Sequence, residues 1–292
     1  MHTLKAILIG NGTMGARHRT RFEACGVHFV QVVDIGESVA NYDVDFAVVA
    51  APATTHYGYV KDFLLHKVPV FVEKPLALTG AEAQELVDLA KRQDTPLFVA
   101  QSECFNPLFL NFRKHFTEEL RTFFMQPAAH PAVRLEFRRE HRYSPRCRDV
   151  NVSLDLLVHD LSLFFTLFKF TDVEVEKYEP VGSGDAARLR LRVARGAYKG
   201  VIADFYVNRS SDCDVRTITV EYGRQGETPK TSYTVSLARY MPDGEIAHVP
   251  DSLDNEHRFF LKLLAGACAD WGRRLAQTAA DAVKVSSLAP TP

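Results

Sequence analysis

The sequence predicts an α/β chain in two parts, a doubly wound parallel sheet followed by an α+β domain on a mostly antiparallel open sheet. Three observations carry this expectation. The chain has 292 residues, 46% of them apolar, enough for two buried cores. Its first hundred or so residues alternate short apolar runs with amphipathic segments, as a parallel sheet flanked by helices requires. From Phe105 onward, period-two runs dominate instead. The expected boundary divides residues 1–104 from residues 105–292, with the closing helices free to pack back on the first domain.

Element by element, strands are predicted at Ala6–Ile9, Phe29–Val33, Phe46–Ala50, Val70–Val72 and Leu97–Ala100. Thr79 and Glu82 form a capping-box pattern, and the segment AQELVDLAKR after it places Leu86, Leu89 and Ala90 on one helical face. Only twelve residues, Asp34 to Asp45, join the second strand to the third. A full crossover helix hardly fits there, so a short turn or a single helical turn is expected, leaving the sheet thinly covered near Asp34. In the second part, a helix near Leu108–Phe123 should end before a loop with Pro127 and Pro131, followed by a half-buried strand at Val133–Arg138 and a helix at Ser153–Phe168. Further strands are read at Leu189–Val193, Val201–Tyr206 and Ile218–Val220, with Gly196 and Gly200 as punctuation. A helix around Glu256–Ala265 and another opened by Thr278 and Asp281, again a capping-box pattern, close the chain.

Charge and cysteine usage exclude several classes of function. Lys plus Arg number 35 against 36 Asp plus Glu, so the net charge of −1 gives no overall field toward nucleic acid or an anionic membrane. The five cysteines, Cys25, Cys104, Cys147, Cys213 and Cys268, contain no CxxC pair, which argues against a zinc cage or disulfide framework and for reduced, cytoplasmic thiols. The apolar stretch from Leu4 to Ile9 is too short for a signal peptide, and no run of about 18 apolar residues offers a membrane span. The expectation is a cytoplasmic protein with no membrane, nucleic-acid or metal partner.

The motifs point to a dinucleotide. Gly10-Asn11-Gly12-Thr13-Met14-Gly15 is a GxGxxG pattern directly after the first strand and at the start of a helical stretch. There the glycines permit a tight turn and close approach of a pyrophosphate, whose charge meets the helix N-terminus. Asp34 stands 19 residues past Gly15 at the end of the second strand, where a carboxylate accepts hydrogen bonds from the adenine ribose. It repels a 2′-phosphate, and Ile35, Gly36 and Glu37 offer no cation to bind one, so NAD is favoured over NADP. The alternative is a glycine-rich turn beside an ordinary solvated aspartate. Ala51, Pro52 and His56 follow the third strand, Glu73 and Lys74 end the fourth, and Gln101 follows the fifth, all at carboxyl ends where such sheets bind ligands. These residues complete the candidate cofactor contacts.

Asp155 and His159 are four apart on a predicted helix and face one side. Neutral imidazole can take a hydroxyl proton, and a carboxylate one turn away can orient it or stabilise the imidazolium. The alternative is a satisfied histidine on a partly buried helix; a metal lacks further ligands. Just upstream stand six arginines, Arg134, Arg138, Arg139, Arg142, Arg146 and Arg148. Guanidinium forks suit a diphosphate or carboxylate, with Arg142 and Arg148 the preferred substrate contacts beside Lys74, Asp155 and His159. Alternatively, strand alternation simply exposes several of them while Glu136 and Glu140 neutralise others. Val201, Ala203, Phe205 and Val207 form an alternating apolar row, either a partner-facing surface or domain core.

The GxGxxG turn, the Ala51-Pro52 segment with His56, Glu73-Lys74-Pro75 and the DLLVHD stretch from Asp155 to Asp160 occur in this order along nearly the whole chain. In these motifs the chain resembles the glucose-fructose oxidoreductase and inositol dehydrogenase (Gfo/Idh/MocA) family, closest in pattern to nucleotide-sugar 3-dehydrogenase-like members. The resemblance implies a Rossmann domain that binds NAD, with Lys74 beside the nicotinamide and His159 as acid/base. It implies hydride transfer at a secondary hydroxyl of a sugar or nucleotide-sugar, and a homodimer or homotetramer. A non-catalytic sugar- or nucleotide-sensing regulator on the same scaffold is the alternative, and a biliverdin-type reduction that needs no His159 base is a third. Three departures stand out. Cys104 replaces an arginine of the subset's ERFNP signature, Asn151-Val152-Ser153 stands where most members have glycines, and the Asp34–Asp45 connection is short.

Overall fold

The computed structural model describes residues 3–34, 37–124, 131–144, 149–168, 172–224, 231–240, 246–247 and 251–287. The chain divides into two compact units, one of Met1–Ser102 with Leu253–Leu288 and one of Glu103–Ser252 with the last four residues. Relative to the expected boundary, Glu103 and Cys104 fall in the second unit and the closing helices fall in the first.

In the first unit, β1 (Lys5–Ile9), β2 (His28–Val33), β3 (Phe46–Val49), β4 (Val70–Glu73) and β5 (Leu97–Ala100) form a parallel sheet in the order β2-β1-β3-β4-β5. All five strands lie within one residue of the positions read from their apolar runs. Connecting helices are α1 (Thr13–Ala24), α2 (Ala53–Leu65) and α3 (Gly80–Gln93), the last opened by the expected Thr79–Glu82 capping box. Described residues between Asp34 and Asp45 form no helix, and β2 is left as an edge strand. The connection is anchored by side chains. Gln31 bonds Ser38 O and Ala40 N across the edge, while Tyr42 stacks on His66 with centroids 3.8 Å apart and bonds Asp62.

The closing helices α6 (Asp251–Leu264) and α7 (Ala269–Ser286) complete this unit's core. Phe260 of α6 lies 5.2 Å from Phe46 and 5.3 Å from Phe71, ring to ring. Helix α7 begins nine residues before the expected start at Thr278, which lies inside it. Its buried face is Gly272, Leu275, Ala276, Ala279, Ala280 and Val283, a helical stripe of mostly small residues that carries little hydrophobic contrast. Small residues are needed there: a Cβ on Gly272 would meet the Leu263 side chain at 2.6 Å, and one on Gly80 would meet Lys284 at 2.7 Å.

The second unit contains α4 (Pro107–Phe124), α5 (Val158–Leu167) and a six-stranded sheet of β6 (Pro131–Glu140), β7 (Val173–Val181), β8 (Ala186–Val193), β9 (Ile202–Asn208), β10 (Val215–Arg224) and β11 (Thr231–Ser236). Its order is β11-β10-β6-β9-β8-β7, antiparallel throughout except for the β6–β9 pair. A two-residue ladder pairs β12 (Arg239–Tyr240) with β13 (Ile246–Ala247). Pro131 opens β6 instead of lying in the preceding loop. There β6 pairs only with β10, because its β9 partners begin at Arg134, and an edge position tolerates proline's missing donor. Pro127 lies outside the described residues. Phe205 stacks on Phe137 at 4.8 Å and meets Phe164 of α5 at 5.9 Å, so Val201, Ala203, Phe205 and Val207 are core. The single helix expected over Ser153–Phe168 is in two parts, because Ser153–Leu157 winds as a π-helical turn before α5. No helix among the described residues is long and apolar enough to cross a membrane.

Candidate active site

The candidate cofactor site is built at the carboxyl ends of the first unit's strands. Gly10 adopts φ +87°, and a Cβ there would meet Ala50 O at 2.7 Å, so the turn after β1 presses against the end of β3. Gly15 packs α1 onto the same turn; its Cβ would sit 2.0 Å from Gly10 O. Gly12 has nothing within 4 Å of its Cβ position, and the first turn of α1 has neither a side-chain cap nor an acidic residue. The open glycine and uncapped N–H groups together form an anion cradle at the point where strand order reverses between β1 and β3. Asn11, Thr13 and Met14 belong to this turn.

Asp34 is exposed after β2, and its backbone N–H donates to Glu37 Oε2 at 3.0 Å, which brings a second carboxylate against the same turn. Ile35 and Gly36 lie outside the described residues. Ala51 and Pro52 lead into α2. His56 is buried at 1% exposure, with Nδ1 2.7 Å from Pro75 O and Nε2 2.9 Å from Ala51 O. It ties the end of β3 to the turn after β4, and both ring nitrogens are engaged by protein carbonyls. Lys74 follows β4, and its backbone N–H donates to Glu73 Oε2 at 3.1 Å. Glu73 Oε1 lies 2.7 Å from His18 Nε2. Burial opposes ionisation of Glu73, but the hydrogen bond and charge of His18, with Lys74 and His56, hold its carboxyl below the ordinary value.

Gln101, after β5, is 4% exposed, and neither its side-chain oxygen nor its nitrogen has a hydrogen-bond partner. A buried amide with both ends open calls for a polar ligand. With the cradle at Gly12, it fits a dinucleotide bearing a pyrophosphate and an amide.

The second unit contains the DLLVHD segment. Asn151 Oδ1 accepts the Leu154 N–H at 2.9 Å and opens the π-helical turn that carries Asp155. Such turns are rare and tend to mark functional positions. Asp155 is buried, with Oδ2 3.7 Å from Nη1 of the buried Arg209. Arg209 also donates from Nε to Asp185 Oδ1 at 2.8 Å and from Nη1 to Val150 O at 2.9 Å. From Val152 to Phe168 every residue is buried except His159, which is half-buried. An apolar helix thus opens to solvent at one imidazole.

Beside it runs a buried ion network. Arg139 donates from Nε and Nη2 to Asp160 Oδ1 at 3.0 and 2.8 Å, and from Nη1 to Glu103 Oε1 at 3.1 Å, while Arg216 Nη1 reaches Glu103 Oε1 at 2.8 Å. Burial would raise the Glu103 carboxyl, but the two guanidiniums hold it down at about 2. Burial wins at Asp160, which is pushed up despite Arg139.

The arginine cluster is split by strand alternation. Arg134 and Arg138 point to the face opposite Arg139 and pair with Asp204 and Glu140. Arg142 is exposed and bonds Asp214 Oδ1 at 3.3 Å and Asp212 O at 3.4 Å; Arg148 lies outside the described residues. Cys104 is buried, its Sγ 3.7 Å from Thr166 Oγ1. Sequence reasoning missed His18, His257, Glu103 and Arg209 as parts of these clusters. Among them only Glu103 and Arg209 carried a signal, as charged residues beside apolar runs.

Residues 13–101 match the oxidoreductase family with an NAD-binding Rossmann fold, Gfo/Idh/MocA. Over these residues, about a third of the chain, the protein is similar to that family's NAD-binding part. Among its relatives, the inositol 2-dehydrogenase of Acidothermus cellulolyticus is 28% identical over 198 residues, 60% of this chain and 55% of that protein. The UDP-N-acetylglucosamine 3-dehydrogenase of Acidithiobacillus ferrooxidans is 27% identical over 134 residues, 46% of this chain and 39% of that one. The chain thus aligns with about half or less of these relatives' length. The fold extends further: a crystal structure of GenD2 from gentamicin A biosynthesis, in complex with NAD, superposes with a TM-score of 0.70 at 18% identity, covering 99% of this chain and 96% of that one.

Proposed function

We propose that the protein is an NAD-dependent dehydrogenase that oxidises a secondary hydroxyl of a sugar or nucleotide-sugar, working as a cytoplasmic homo-oligomer. The observation that carries this reading is the grouping at one end of the first sheet. Gly12's open cradle, the orphan amide of Gln101 and Lys74 all follow carboxyl ends of its strands. The inositol and UDP-N-acetylglucosamine dehydrogenases among the relatives support the substrate class.

Gly10, Gly12, Gly15 and the α1 N-terminus would hold the pyrophosphate, Asp34 the adenine ribose and Gln101 the carboxamide. Two carboxylates at the Asp34 turn, Asp34 and Glu37, favour NAD over NADP by repelling a 2′-phosphate. Bound NAD supplies the hydride acceptor. His159 takes the hydroxyl proton on an imidazole nitrogen as the carbon–hydrogen bond breaks. Asp155, held by Arg209, orients that imidazole and balances its new charge. Lys74 stabilises the alkoxide character of the oxygen through its fixed ammonium. Of the two arginines suggested for a substrate diphosphate, Arg142 remains the contact to test.

The test is absorbance at the reduced-nicotinamide band with NAD and a panel that includes myo-inositol and UDP-N-acetylglucosamine. Turnover with at least one member is expected, and Lys74→Ala should lower kcat by orders of magnitude while NAD affinity changes little. NAD binding with no turnover across the panel would favour a sensor.

A further inference from the structure

Lys74 is gripped on both sides by buried histidines. His56 holds the Pro75 carbonyl after it, and His18 holds the Glu73 carboxylate before it. Behind His18 stands His257 of α6, 239 residues away in sequence, with His257 Nε2 3.0 Å from His18 Nδ1. Behind His257 is a carbonyl, Leu253 O, 2.6 Å from its Nδ1. We infer that His18 and His257 are positioning residues for Lys74, joined with Glu73 in a hydrogen-bonded chain whose donors run outward from His18 and which fixes the Lys74 peptide. This assignment rests on the reading that Lys74 acts on the substrate oxygen.

The direction of the chain follows from its ends. A carbonyl only accepts, so His257 carries its proton on Nδ1. Burial, and then the charge of His18, hold the His257 imidazole down to about 3, which leaves it neutral with a lone pair on Nε2. His18 must therefore donate from Nδ1. Its other nitrogen lies 2.7 Å from Glu73 Oε1, and a contact that short between an imidazole nitrogen and a carboxyl oxygen requires a proton between them. Both nitrogens of His18 therefore face acceptors, Nδ1 toward His257 and Nε2 toward Glu73, which assigns it a proton on each. Glu73 is left a carboxylate whose Oε2 accepts the Lys74 N–H.

The surroundings hold this arrangement in place. His18 and His257 are 0% and 1% exposed, and Phe22 and Phe71 pack on the pair at centroid distances of 4.4 to 5.2 Å. The other ionisable groups acting on it are Arg21, His56, Lys74 and Glu256. Glu256, next to His257, is fully buried; burial and the nearby Glu73 push its carboxyl well up, against the Gln101 backbone and the charge of Arg21. Glu73 is thus the anion of the cluster, matched to His18 on one oxygen and to the Lys74 peptide on the other. A lysine that must meet a developing alkoxide gains from such a fixed root, since small misplacements are costly.

The test uses the full chain labelled with 15N and long-range proton–nitrogen spectra of the imidazoles between pH 6 and 8. The expected pattern is His257 neutral with its proton on Nδ1 and His18 protonated on both nitrogens, with a slowly exchanging Lys74 amide. His257→Phe keeps a ring among Phe22 and Phe71 but removes the acceptor; Lys74 amide exchange should quicken roughly tenfold, the scale of one lost hydrogen bond. Glu73→Gln, nearly isosteric, is the second variant and should return His18 to a neutral ring. A neutral His18 in the wild type, or a Lys74 amide indifferent to both variants, would overturn the assignment. None of these readouts needs a substrate, so they fail separately from the dehydrogenase reading. With a substrate from the panel, His257→Phe should lower kcat at least about tenfold and leave KM for NAD within about twofold; equal loss in both would reduce His257 to a general structural role.

Discussion

The two units treat their buried carboxyl groups differently. In the first, Glu73 is matched by an imidazole, and burial pushes the Glu256 carboxyl well up. In the second, Glu103 and Asp160 are matched by Arg139 and Arg216, and Asp155 by Arg209. An imidazole or a carboxyl can exchange its proton in the working pH range, whereas a guanidinium cannot. The cation facing the buried carboxylate is thus a titratable imidazole in the first unit and a permanent guanidinium in the second. Permanent charge suits a segment that must hold one geometry around His159, the proposed base.

The largest effect expected from this contrast is at Arg139. Arg139→Met strands two buried carboxyl groups and should cost about 3–5 kcal/mol in urea unfolding. Arg134→Met removes a half-exposed partner of Asp204 and should cost less than about 1 kcal/mol. Equal losses would dissolve the distinction between buried network and surface pair. Next in size are the glycines of the cradle. Gly15→Ala places a methyl 2.0 Å from Gly10 O and should lower Tm by several degrees, at a cost of about 1–3 kcal/mol. Gly12→Ala meets no protein atom within 4 Å, so Tm should hold while NAD affinity, by titration, falls about tenfold or more.

The smallest effect is the pH dependence, which has opposite signs in the two units. Glu256 is raised in the folded state, so its contribution is complete below its ordinary value of 4.5 and is lost as pH climbs. Glu103 is depressed to about 2, so its contribution is complete above 4.5 and is lost as pH falls toward 2. Tm measured from pH 5 to 8 should therefore fall more steeply for wild type than for Glu256→Gln. Parallel curves would mean that Glu256 is not the proton carrier of the first unit.

Much of the fold could be read from local pattern. Four of the five parallel strands are short, almost wholly buried apolar runs, β2 at the edge is half-exposed, and each lies within one residue of its expected position. The strands that escaped notice, β7 and β11, are the two edges of the second sheet. Val173–Val181 alternates valine with glutamate yet buries neither set, and Thr231–Ser236 is mostly hydroxyl side chains, so neither shows the contrast a half-buried strand displays. The start of α7 was hidden in a similar way, by a buried face of glycine and alanine. Motifs singled out the glycine turn, Lys74 and His159 because each lies on a short stretch of chain. The histidine chain was invisible: His18 and His257 are 239 residues apart, and no local signal joins them. Arg139 was within reach, since it shares strand parity with Val133, Leu135 and Phe137, whereas Arg134 and Arg138 do not.

In the proposed reaction, Lys74 and His159 act on a single carbinol. The direct measurement is single-turnover reduction of NAD by wild type, Lys74→Ala, His159→Asn and the double variant, with a substrate from the panel. Groups that serve one transition state are not additive, so the double variant should be about as slow as the slower single variant. Losses that multiply, or a His159→Asn rate equal to wild type, would contradict the account.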